Sequence, residues 1–177
     1  MAAPDLQQIH LVTATFLECC ISSADDSGRV VERIALPEQA WLFPQFTTAE
    51  KRISYIVHVN CQGLCPEGEP TGVAGRFQLY FDFQVDNLDE HLATIEATSD
   101  PIPTHEMMVM LGGVAYSTAR GMLLSKVQDT PLHGFSLPLR WPVELLEASV
   151  KRMIAEQNAQ EKPVLKKPAK PRARKKS

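Results

Sequence analysis

The sequence has no uninterrupted apolar run near the roughly 18 residues that cross a bilayer, and its opening residues, MAAPDLQQ, lack the basic and apolar segments of a secretory signal. A soluble, cytoplasmic protein without membrane insertion is therefore expected. No Walker loop, G-x-G-x-x-G fingerprint, nucleophile elbow or H-E-x-x-H pair occurs, so nucleotide-driven and common hydrolytic chemistries have no motif to stand on. The five histidines, His10, His58, His91, His105 and His133, are scattered singly. The carboxylates of Asp86, Asp89, Glu90, Glu96, Asp100 and Glu106 cluster with no base among them, and a solvated acidic connection explains them better than a catalytic pair. No enzyme, no catalytic residue and no cofactor are expected.

Cysteine is sparse: Cys19, Cys20, Cys61 and Cys65. In a reducing compartment a disulfide framework is not expected. Neighbouring residues of a strand point to opposite faces, so Cys19 and Cys20 cannot both ligate one metal without a bulge. The C-x3-C pair Cys61/Cys65 has no second pair near it, and no metal site is expected.

Charge of one sign is missing where a nucleic-acid surface would need it. Eight of the 18 Lys and Arg fall in residues 162–177, which hold no acid, leaving ten bases against 21 acids in residues 1–161. The body thus carries −11 and the tail +8. Phosphate binding needs cations on the docking face, so any polyanion contact falls to the tail, through Lys166, Lys167, Lys170, Arg172, Arg174, Lys175 and Lys176. Its Lys/Pro/Ala composition predicts an extended, disordered tether over 161–177, after a folded domain spanning 1–160.

What is present reads mainly as strand. Leu6 to Ile21 is rich in β-branched and aromatic residues and ends at the polar run SSADDSG. A second β-like run, Arg29 to Leu36, leads into PEQAWLFPQF, read as an irregular connection because it holds two prolines. Residues 51–64 alternate, with Ile53, Tyr55, Val57, Val59 and Cys61 on one face and only Ile56 breaking the pattern. Residues 73–86 alternate more strictly, with Phe77, Leu79, Phe81, Phe83 and Val85 on one face. The two runs predict a long antiparallel hairpin with one wet face.

A Pro-free stretch from Met107 to Val127 predicts a helix about 30 Å long, apolar on more than one side despite Gly112, Gly113 and Gly121. A helix with more apolar surface than one sheet can cover argues for a homo-oligomer, a dimer or tetramer, with Gly112, Gly113, Tyr116, Arg120 and Gly121 as candidate contact residues. Pro142 suits the first turn of a last helix, Val143 to about Gln157, whose apolar stripe is Leu146, Val150, Met153 and Ile154. The fold class is α+β: a four-stranded antiparallel sheet packed by a long helix plus a C-terminal helix.

Two segments concentrate large apolar side chains outside these elements. Trp41, Leu42, Phe43 and Phe46, and likewise Trp141, Leu145 and Leu146, either complete the core or line a groove that holds client polypeptides, where β-edge pairing would add sequence-independent main-chain bonds. Both readings stay open at this level.

The order of elements, the strand end FQVDNL (83–88), the run MLGGVAYSTARGMLLSKV (110–127) with Ala119 and Arg120 in an aromatic-x-x-Ala-Arg pattern, and SLPLRWPVELLE (136–147) together resemble the SecB family of protein-export chaperones. The resemblance implies a SecB-like fold that holds unfolded or partly folded polypeptides without ATP before export, with the SecA motor as a further partner. Two features depart from the family pattern. The tail is basic, and Arg76 falls near the family's acidic contact for SecA. A dedicated chaperone of one partner, such as an antitoxin, is the alternative; an adaptor that reaches nucleic acid or the ribosome through the basic tail is the rival from another class.

Overall fold

The structure is a computed structural model and describes residues 4–23, 30–94 and 101–160, with side chains to residue 152 in the last helix. The strands are β1 (Ile9–Ser22), β2 (Arg33–Ala35), β3 (Trp41–Thr47), β4 (Arg52–Leu64), β5 (Pro70–Val85) and the short pair β6 (Leu92–Ala93) and β7 (Ile102–Pro103); the helices are α1 (His105–Lys126) and α2 (Pro142–Gln160). The main sheet is antiparallel in the order β1-β5-β4, with both β2 and β3 on the outer side of β4. It is thus four positions wide, as expected, but built from five strands, because β3 lies opposite 52–58 and β2 opposite 62–64.

The expected irregular connection is therefore a strand. In the regular β3–β4 ladder the backbone N–H of Leu42 points away from β4 and donates to Ser149 Oγ at 2.9 Å. By alternation the position of Pro44 also faces outward, where a missing N–H breaks no ladder bond. The preceding β-like run is shorter than expected, three residues rather than Arg29 to Leu36.

The β4–β5 hairpin follows the alternation of its sequence. Tyr55, Val57, Phe77, Leu79, Phe81 and Val85 lose all contact with solvent under α1, and the turn closes through a Gly68 N–H to Cys65 carbonyl bond of 2.9 Å, with Gly68 at φ +85°. The opposite face is drier than a wet face should be. Asp82 is buried beside Arg52, and Tyr80 hydroxyl donates to Ser54 Oγ at 3.3 Å. Glu18 accepts from Arg76 Nε at 2.6 Å and from Gln78 Nε2 at 3.1 Å, and His10 lies 3.4 Å from Asp86.

Thr104 caps α1 by accepting the Met107 N–H, without the carboxylate of a capping box. By length and composition α1 is apolar enough to cross a membrane; in the fold it is a core helix that lays Met107, Leu111, Ala115, Ala119 and Leu123 on the sheet. Tyr55 hydroxyl donates to the Met108 carbonyl at 2.8 Å, and burial pushes the Tyr55 pKa well above the ordinary phenol value. The expected stripe of α2 is rotated: Leu145, Leu146 and Ser149 are buried and Val150 is exposed, because α2 packs on α1 and β3 at once. Met153 and Ile154 lie outside the described side chains.

Candidate functional site

Between the helices the chain makes turns over 127–134 and then runs without regular structure to Trp141, and its apolar residues divide between core and solvent. Leu132, Phe135 and Leu137 are buried, whereas Leu139 is 81% and Trp141 75% exposed. Two side chains of α1 hold this segment in place. Tyr116 hydroxyl donates to the Pro138 carbonyl at 2.9 Å, and Arg120 Nε donates to the Leu137 carbonyl at 2.9 Å and to Ser136 Oγ at 3.2 Å. Backbone carbonyls that no ladder satisfies are thus paired, which fixes the path of an irregular strap.

The strap forms the rim of three concavities. One of about 670 Å³ lies between it and β2, lined by Val31, Ile34, Leu36, Phe135 and Pro138 with Glu32, Arg33 and His133. A second of about 260 Å³ lies over the middle of α1, and a third of about 540 Å³ lies beside Trp141. Ser136, Pro138, Leu139 and Arg140 recur among their walls, so the three are successive parts of one groove. At its β2 end the sheet has an outer edge, since β2 pairs only with β4 among the described residues. An extended polypeptide can bond that edge through its main chain and place alternate side chains in the adjoining concavity.

Only part of the expected client set lies here. Trp141 does. Leu42, Leu145 and Leu146 do not, because α2 closes over β3 and makes them core, at 0, 5 and 4% exposure. Trp41 and Phe43 lie on the other side of β3 from Leu42. Trp41 stacks on His58 at 4.0 Å, meets Phe43 edge-on at 6.4 Å and carries the Arg152 guanidinium 4.5 Å above its ring. Arg152 also reaches Glu38 at 2.9 Å, and hydrogen bonds from Asn60 and Arg152 hold the Glu38 carboxyl below its ordinary pKa. Phe46, 41% exposed at the end of β3, belongs to neither group.

The expected oligomer set divides in the same way. A Cβ at Gly113 would stand 2.8 Å from Pro142 Cγ, and one at Gly112 would stand 3.5 Å from the Tyr55 ring, so these glycines serve the crossing of α1 with α2 and the sheet within one protomer. Tyr116 and Arg120 hold the strap. Gly121 alone faces open space, with nothing within 4 Å of its Cβ position. Close approach thus explains Gly113 and not Gly121.

The groove residues that sequence reasoning missed, Val31, Ile34, Leu36, Phe135, Pro138 and Leu139, come from segments about 100 residues apart, and no local spacing joins them. Leu139, exposed between Pro138 and Arg140, carried the one available signal, a large apolar residue in a proline-flanked extended run. Among the described residues no three His, Cys, Asp or Glu side chains come together as a metal site. Cys19 and Cys20 are exposed; Cys61 and Cys65 are buried, and burial pushes the Cys61 thiol up to about 11. The basic residues Lys166 to Lys176 lie outside the described residues.

No family model matches the chain, and no curated protein sequence matches it. Among solved structures it superimposes on the SecB-like chaperone Rv1957 of Mycobacterium tuberculosis, determined in complex with a ChAD peptide from the HigA1 antitoxin, with a TM-score of 0.50 and 9% identity. The match covers 76% of this chain and 91% of that one. At such identity the likeness speaks for architecture alone, and the architecture agrees with the one expected from the motifs: this chain has the SecB-like α+β fold.

Proposed function

We propose that this protein is a chaperone, not an enzyme, that binds extended apolar segments of unfolded or partly folded polypeptides along the groove rimmed by residues 131–141. The observation that carries this reading is the exposure of Leu139 and Trp141 on a strap whose path is fixed by α1, beside a concavity of about 670 Å³ and the outer edge of β2. Large apolar side chains held rigidly in water favour an apolar ligand, and each Å² they bury contributes about 25 cal/mol. Such holding needs no nucleotide, and the sequence has no loop to bind one.

Between a general chaperone for export and one dedicated to a single partner, two observations favour the dedicated form. The structural neighbour was solved with an antitoxin peptide bound. In addition, Glu18, Asp82 and Asp86 on the open face of the sheet each have a basic partner, which leaves little unpaired acidic surface there for a motor such as SecA. We also propose that the protein works as a homo-oligomer, since Val114 on α1 and Leu11, Val12 and Leu17 on β1 remain exposed in the protomer. The cytoplasm is its proposed place, and the tail's polyanion contact stays a proposal resting on its +8 charge.

Replacing Leu139 and Trp141 together with Ser tests the groove. The expected result is loss of the ability to suppress aggregation of a denatured test protein, with the melting temperature nearly unchanged because both side chains are exposed. Undiminished suppression would refute the assignment.

A further inference from the structure

We propose that the cleft of about 260 Å³ between the middle of α1 and the Ser136–Arg140 run is a carboxylate subsite, so that the segments held in the groove pair an acidic group with their apolar residues. The proposal rests on the groove reading above and adds a chemical preference to it. Two guanidinium groups, those of Arg120 and Arg140, stand in the wall of this cleft, and no Asp or Glu lines it. Both are near enough to the Tyr116 hydroxyl to oppose the rise of its pKa that burial causes. Neither forms an ion pair among the described residues; Glu144 lines the adjoining concavity without bridging to Arg140.

Arg120 spends its Nε–H on Ser136 Oγ and the Leu137 carbonyl, which anchors the guanidinium plane and leaves its Nη donors without a protein acceptor among the described residues. A half-buried, oriented fork of N–H donors matches a carboxylate in both charge and geometry. Gly121 adds the space: nothing lies within 4 Å of its Cβ position, so the cleft stays open beside the arginines. Leu139 forms part of the wall of this cleft and of the neighbouring apolar concavity, so one extended segment can fill both.

The carboxylate can be an Asp or Glu side chain or a free C-terminus, and titration calorimetry with three probes separates these sources. The probes are a short acetylated, amidated peptide rich in Leu and Phe with one Asp, its Asn counterpart, and that counterpart with a free C-terminal carboxylate. At low ionic strength one of the two acidic peptides is expected to bind about fivefold more tightly than the Asn amide, an advantage that added salt reduces. Arg140→Gln should then bind all three with equal affinity, and Arg120→Lys, which keeps the charge but not the fork, should bind the acidic peptide more weakly than the wild type. Equal binding of the three peptides to the wild type would overturn the subsite while leaving the groove intact. No binding of any peptide would overturn the groove and the subsite together. If Arg140→Gln instead lowers the assembly's mass in light scattering, the carboxylate belongs to a second copy of the chain and the client subsite is refuted.

Discussion

The two long edges of the sheet are finished in opposite ways. At the β3 edge, one outward N–H, that of Leu42, is taken by Ser149 of α2, the next outward position is Pro44, and α2 covers the side chains. Arg152 then ties α2 to the sheet through Glu38 and the Trp41 ring. At the other edge, β1 is twice as long, no element among the described residues lies on its far side, and Leu11, Val12 and Leu17 are 44, 51 and 54% exposed. A pair of register shifts, near Val12 and Leu17, interrupts this strand, an irregularity of the kind that discourages edge pairing. The β3 part of one edge is thus closed within the protomer, whereas the longer β1 edge is left uncovered among the described residues.

The largest expected effect comes from opening the closed edge. Leu146→Ala removes a buried side chain that joins α2 to α1 and should cost about 2–5 kcal/mol, read as a lowered midpoint in urea. A cost below about 0.5 kcal/mol would mean that α2 is not part of the core and that Leu146 returns to the client surface. Ser149→Ala should cost less, about 1–3 kcal/mol, because it leaves the buried Leu42 N–H unpaired while keeping the helix. Faster amide exchange of Leu42 in this variant would locate the loss.

The open edge should behave in the reverse manner. Val12→Lys combined with Leu17→Lys touches exposed positions and should change protomer stability by no more than about 0.5 kcal/mol, yet lower the mass seen by light scattering toward 19.7 kDa. A mass unchanged from the wild type would show that β1 is not the contact between copies. The smallest effect concerns acid. Because Asn60 and Arg152 lower the Glu38 pKa in the folded state below its unfolded value, the stabilisation from Glu38 is complete above the ordinary carboxylate range and is lost as the pH falls through the lowered value. Glu38→Gln should therefore flatten a small part of the acid dependence of α2 exchange, and an identical dependence in the variant would remove Glu38 from the clasp.

Much of this architecture is legible in the sequence. Period-two alternation at residues 53–61 and 77–85 placed the buried face of the hairpin correctly, since a strand has only two faces and one must be dry. The long helix and the Pro142 start of α2 followed from local chemistry in the same way, although α1 begins at His105, two residues before the expected Met107. PEQAWLFPQF did not, because proline excludes a strand only where its N–H would face a neighbour, and sequence does not state which side of a strand is outermost. For Leu42, Leu145 and Leu146 the sequence left core and groove both open for a related reason, since an apolar residue on a segment of unknown neighbours reads equally well as either, and the structure makes them core.

The sequence by itself determined the class of fold, the faces of the hairpin, the two helices, the lack of catalytic and nucleotide motifs, and the separation of an acidic body from a basic tail. Each of these depends on periodicity, capping or composition, which are local properties of the chain. Only the tertiary structure decided which apolar residues remained in water. The groove joins β2 to a strap about 100 residues further on, the β3 edge is closed by a serine 107 residues away, and Gly113 and Gly112 of α1 meet Pro142 and Tyr55 within one protomer. Those outcomes depend on how elements distant in sequence pack, and packing is set by the mutual fit of whole surfaces that no single segment encodes.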